Sequence, residues 1–79
     1  MPSFYFHLHN DMDVTDEEGR EFPDLEAALA HASGQVRALA GQVLKDSGCI
    51  VLSHRIDVES AEGVVLGSVR IRDAIRVED

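Results

Sequence analysis

Hydrophobic and polar positions follow two different periods along this chain. Ser3-Phe4-Tyr5-Phe6-His7-Leu8-His9 alternates with a period of two, as a half-buried strand does. Phe4, Phe6 and Leu8 then share one face, and Tyr5, His7 and His9 share the other. Residues 10–19 break the alternation with an acidic, turn-rich stretch. Within it, Asp16-Glu17-Glu18-Gly19 reads as a tight turn, because glycine takes positive φ without a Cβ penalty. Arg20-Glu21-Phe22 is expected to be a short second strand returning against the first.

From Pro23-Asp24 the period lengthens. Asp24 is a suitable N-cap, and Glu26 in the first turn complements the helix dipole. Leu25, Ala28, Leu29, Ala32, Val36, Leu39, Ala40 and Val43 fall in one stripe at about 100° per residue. Gly48 follows Lys45-Asp46-Ser47 as a natural C′ residue. The spacing predicts a helix over 25–47, roughly 35 Å long at 1.5 Å per residue.

Alternation returns in Ile50 to Glu59 and Val64 to Ile71, which read as a final hairpin around Ser60-Ala61-Glu62-Gly63. A symmetric four-residue loop would set Val58 opposite Val65 and Ile56 opposite Gly67. Val69 and Ile71 would extend that apolar face, while Arg55, Asp57, Ser68 and Arg70 would occupy the other. The sum is one α+β domain over 1–79, β-β-α-β-β, with a small antiparallel sheet packed on one long helix.

Composition narrows the functional classes. Apolar residues make up 44% and charged residues 28%, which is ordinary for a folded domain. Fifteen acids against seven bases give a net charge of −8. That field repels phosphate backbones and anionic bilayers, so no nucleic-acid or membrane partner is expected. Arg70, Arg72 and Arg76 cluster, but Asp73, Glu78 and Asp79 sit among them. The opening Met1-Pro2-Ser3-Phe4 has neither the basic region nor the apolar core of a signal peptide. A cytoplasmic location is the default expectation. The single cysteine, Cys49, lies between Gly48 and Ile50-Val51-Leu52 and is expected to be a small buried hydrophobe.

Several pieces together resemble a known group. They are Phe4-Tyr5-Phe6-His7-Leu8, the acidic turn ending in Gly19, Phe22-Pro23-Asp24-Leu25-Glu26-Ala27-Ala28, and the closing hairpin with Arg72-Asp73-Ala74-Ile75. The chain resembles an uncharacterised family of short bacterial domains of unknown function. The resemblance spans nearly the whole chain. It implies the fold and a bacterial source, and it implies no mechanism.

Four constellations carry chemistry worth weighing. His7 and His9, at i and i+2 on a strand, point the same way and are metal-ligand candidates with Asp11 and Asp13 nearby. The spacing is not that of an EF-hand, because Asp16 stands where glycine is needed. Asp11, Asp13, Asp16, Glu17 and Glu18 could hold a catalytic carboxylate pair only if burial raised one pKa, and a hydrophilic turn offers no such cover. Ser53-His54 lacks a Gly-x-Ser-x-Gly elbow, and the chain has no Cys-x-x-Cys. No cofactor and no catalytic residue is assigned.

The fourth is a line of small residues, Ala27, Ala30, Gly34, Ala38 and Gly41, opposite the apolar stripe of the helix. A water-facing helix surface normally carries Glu, Lys and Arg. Each mid-helix glycine costs about 1 kcal/mol relative to alanine. This stripe is therefore a candidate interface for a homodimer. The leading expectation is a small non-catalytic binding or interaction module, homodimeric. The alternatives are a regulatory protein meeting a basic partner through its acidic loop and tail, and a metal-binding or hydrolytic protein built on His7 and His9.

Overall fold

The computed structural model describes residues 2–10 and 13–78. The element order is β1 (Ser3–His9), β2 (Asp13–Val14), β3 (Arg20–Glu21), α1 (Leu25–Ser47), β4 (Arg55–Ser60), β5 (Val65–Arg70) and α2 (Ile71–Ala74). The α+β architecture matches the expected one, with one more strand and one more short helix. The sheet is antiparallel in order β2-β1-β4-β5, and β3 also pairs with β1. Both two-residue strands lie along the edge of β1 that β4 does not use. The acidic turn separates them: β3 is the expected return strand at 20–22, one residue shorter, and β2 is an additional contact within the stretch expected to be turn.

Helix α1 forms where its caps demand. Asp24 is extended, and its Oδ1 accepts a 2.8 Å hydrogen bond from the Ala27 N–H. Gly48 ends the helix at φ 71°, and its N–H donates to the Leu44 carbonyl at 2.8 Å. The buried face is Ala28, Ala32, Val36 and Ala40. Three alanines out of four let the helix axis lie close on the sheet. Its contacts with the sheet fall chiefly on β4 and β5. The core is completed by Phe4, Ile56, Val58 and Val69 from the sheet and by Ile71 and Ala74 from α2. On the opposite side of α1, Ala30, Gly34, Ala38 and Gly41 are exposed, and Ala27 is half-buried. An added Cβ at Gly34 or Gly41 would meet nothing within 4 Å.

The last hairpin departs from the symmetric register. Val58 is opposite Gly67 and Ile56 opposite Val69, with a bulge that gives β5 one extra residue between Val65 and Gly67. Helix packing explains the glycine. A Cβ at Gly67 would lie 3.0 Å from Leu29 Cδ2, so Leu29 of α1 occupies the space a side chain would need. The loop itself follows expectation: Gly63 takes φ 82°, and Ser60 Oγ accepts from the Glu62 and Val64 N–H groups.

Three further expectations are corrected. Residues 50–54 are not strand, because β5 ends at Arg70 and leaves them no ladder partner. Their carbonyls instead receive the first turn of α2: Ile71 N–H donates to His54 O, and Arg72 N–H to Leu52 O. Ile71 is accordingly helical rather than the end of a strand. Arg37 Nε donates to Ala74 O at 2.7 Å and ties α2 to α1. Cys49 is exposed, because it sits in the turn just after the helix cap instead of on a strand facing the core.

Candidate functional site

The sheet has two polar features near β1, and they are built differently. On the face away from α1, each histidine reaches a carboxylate diagonally across to β4. His7 Nε2 lies 3.3 Å from Glu59 Oε2, and His9 Nε2 lies 3.0 Å from Asp57 Oδ2. His9 Nδ1 also lies 3.0 Å from Asp13 Oδ1, so the ring joins β4 to β2. Asp57 is 7% exposed although no helix covers it. Arg55 Nε and the Ser68 hydroxyl both donate to its Oδ1, at 3.0 and 2.6 Å. Burial alone would raise the Asp57 carboxyl. The hydrogen bonds from Ser68 and Arg55 and the nearby charges outweigh it and hold the group below the usual carboxylate range.

The second feature is the acidic turn. Asp16 Oδ2 accepts from the Phe6 N–H at 3.1 Å, and its Oδ1 accepts from Glu18 N–H and Gly19 N–H at 3.1 and 3.2 Å. The Asp16 N–H donates in turn to His7 Nδ1. A side chain thus takes the Phe6 donor that a neighbouring strand would have taken. Burial pushes the Asp16 carboxyl up, but the three backbone donors prevail and lower it. Gly19 closes the turn at φ 74° against the ring of Tyr5, where a Cβ would come within 2.9 Å of Cε1 and Cζ.

Because the turn bows away from β1, it leaves an open cleft of about 450 Å³. Phe6, Leu8 and Val14 supply its apolar surface, and Thr15, Asp16, Glu17 and Glu18 its polar rim. Phe6 and Leu8 share a face with buried Phe4, but α1 rests on β4 and β5 and leaves them only partly covered. Phe6 is held from behind by edge-to-face contacts with Phe22 and His31 at centroid distances of 5.8 and 5.1 Å. Val14 is 54% exposed.

His31 gives this wall a pH dependence. Arg20 Nη1 donates to His31 Nε2 at 3.2 Å, which requires the neutral ring. Burial first, and the Arg20 charge second, lower its pKa from the ordinary 6.5. The sign follows: the neutral ring's contribution is complete above about 6.5 and is lost as pH falls through the lower folded-state value. Urea midpoints at pH 7.5 and 5.5 should therefore differ less in His31→Phe than in the wild-type chain. Equal differences would remove His31 as the cause.

A family model for a domain of unknown function matches residues 3–72, nearly the entire chain and every residue of the cleft. The chain belongs to the DUF6894 family. No curated protein and no solved structure matches it. The DUF6894 match agrees with the resemblance carried by the Phe-His-Leu opening and the Pro-Asp-Leu helix start.

Within this DUF6894 domain the sequence-derived candidates separate. His7 and His9 do share a face, and their ring nitrogens contact Glu59, Asp57, Asp13 and the Asp16 N–H. Asp11 lies outside the described residues. Among the described residues no three His, Cys, Asp or Glu side chains are grouped to hold a metal ion. No helix among them is long and apolar enough to cross a membrane. The sequence does not mark Phe6, Leu8, Val14 and Thr15 as lining residues, because alternation assigns Phe6 and Leu8 to a covered face. The sequence carries no signal for the cleft, because the narrowing of the covered helix face to Ala28, Ala32, Val36 and Ala40 is seen only in the fold.

Proposed function

We propose that this domain is a non-catalytic protein-interaction module whose cleft takes a short partner segment bearing an apolar side chain flanked by Lys or Arg. One observation carries the reading: a partly exposed apolar surface of Phe6, Leu8 and Val14 lines the same open cleft as Glu17 and Glu18. An apolar floor gains by burial at roughly 25 cal/mol per Å². Carboxylates at the rim favour cationic neighbours and speed their approach. The chain's net charge of −8 acts in the same direction at longer range.

The acids support binding rather than acid–base chemistry. A general acid at neutral pH needs a raised pKa. The Asp16 carboxyl is instead lowered, and its oxygens are given to backbone donors that shape the turn. Glu17 and Glu18 are exposed.

Fluorescence anisotropy with a labelled peptide of alternating Leu and Arg tests this reading. Glu17→Lys combined with Glu18→Lys should weaken binding by about tenfold or more, roughly 1.4 kcal/mol. Val14→Asp should weaken it by a comparable amount while leaving the circular dichroism spectrum unchanged. Equal affinity of wild type and both variants, or equal affinity for a Leu/Glu peptide, rules the reading out.

A further inference from the structure

The two edges of the sheet are treated in opposite ways. At the β1 edge, β2 and β3 have two residues each and are interrupted by Asp16, Glu17 and Glu18. Short, charged edge strands of that kind block pairing with another chain. At the other edge, β5 runs for six residues and ends the sheet. Residues 63–69 contain no charge and no proline, in a chain with 22 charged residues (7 basic plus 15 acidic). Val64, Val65 and Leu66 along this edge are 57%, 53% and 40% exposed. The bulge beside Leu66 interrupts the ladder once and leaves Gly67 to Arg70 in regular register.

We propose that β5 pairs antiparallel with β5 of a second copy of this chain, joining the two sheets into one. Charge at the two ends of the strand selects both the occupant and the direction. Glu62 precedes the neutral stretch, and Arg70, whose Nε lies 3.3 Å from Asp73 Oδ2, follows it together with Arg72, which leaves that end net positive. Antiparallel pairing brings Arg70 of each copy toward Glu62 of the other. Parallel pairing would set like charges together at both ends. The arrangement is two-fold and isologous, so it closes at two subunits. It also adds buried apolar area to a domain that alone buries only about 60% of its unfolded surface. The clefts then lie at the two outer edges of the joined sheet, which permits bivalent capture of a partner. This pairing does not depend on what the cleft binds.

Sedimentation equilibrium over a concentration series tests it on the full chain. The expected result is a mass approaching twice the 8.7 kDa protomer. Leu66→Glu sets like charges near the two-fold axis and should return the mass to one protomer. Gly34→Leu with Gly41→Leu, on the exposed helix face, should leave the dimer intact. Amide hydrogen exchange of residues 65–69 should slow as protein concentration rises, a readout independent of any variant's folding. A wild-type monomer at every concentration overturns the proposal. So does a dimer that survives Leu66→Glu, a dimer broken only by the helix-face pair, or β5 exchange that ignores concentration. Protection of β5 by a foreign extended peptide, with the chain itself monomeric, assigns the edge to another occupant and likewise overturns it.

Discussion

Ile71→Ala is expected to remove about 2–5 kcal/mol of stability, the usual range for deleting a buried isoleucine to alanine. Ile71 is 1% exposed and is among the largest fully buried side chains, with Val36 and Val58. The cost is large against the whole. At 0.05–0.15 kcal/mol per residue, a chain of 79 residues has roughly 4–12 kcal/mol in total. Ile71 also lies at a junction. Its N–H donates to His54 O, so it fastens the 50–54 segment as well as filling the core. Urea denaturation followed by circular dichroism should show a midpoint shifted far downward with little change in slope. A loss below about 1 kcal/mol would mean that α2 is peripheral and that the core closes without it.

The second large effect is expected at Gly19. Glycine is needed there for two separate reasons. The backbone sits at φ 74°, where an L side chain costs roughly 1–2 kcal/mol. A Cβ would also come within 2.9 Å of the Tyr5 ring, and forcing atoms into a filled space typically costs about 1–3 kcal/mol. Gly19→Ala should therefore destabilise the protein by roughly 2–5 kcal/mol, the sum of the two. Gly63 separates the contributions. It has φ 82° and nothing within 4 Å of a built Cβ, so Gly63→Ala should show the backbone cost alone. Equal losses at the two positions would show that Tyr5 moves aside freely. Gly19→Ala should also weaken peptide capture, because the Gly19 N–H is one of the donors that fix Asp16 and hold the rim of the cleft.

Much of the architecture was readable because it depends on nearest neighbours in sequence. The helix spans the residues that Asp24 and Gly48 delimit, and both caps make the hydrogen bonds their side chain or conformation implies. β1 covers the alternating residues Ser3 to His9. Gly19 and Gly63 both take the positive φ expected of them. The hairpin register was not readable, because the extra β5 residue between Val65 and Gly67 leaves no mark in the alternation of side chains. The end of β5 was not readable either. Ile71 looks like a strand residue by its side chain, and only the carbonyls of Leu52 and His54 turn it into the start of a helix.

The candidate site shows the same division. Glu17 and Glu18 announce an acidic rim in the sequence, yet the cleft they line also needs α1 to settle on β4 and β5 and leave Phe6 and Leu8 partly bare. Local patterning by itself determined the element types, the caps and the faces, since these follow from backbone geometry within a few residues. Tertiary structure alone decided which apolar face was covered, which strand edge stayed open and how β4 and β5 were offset. Those outcomes depend on volumes and hydrogen-bond partners supplied by residues far apart in the chain.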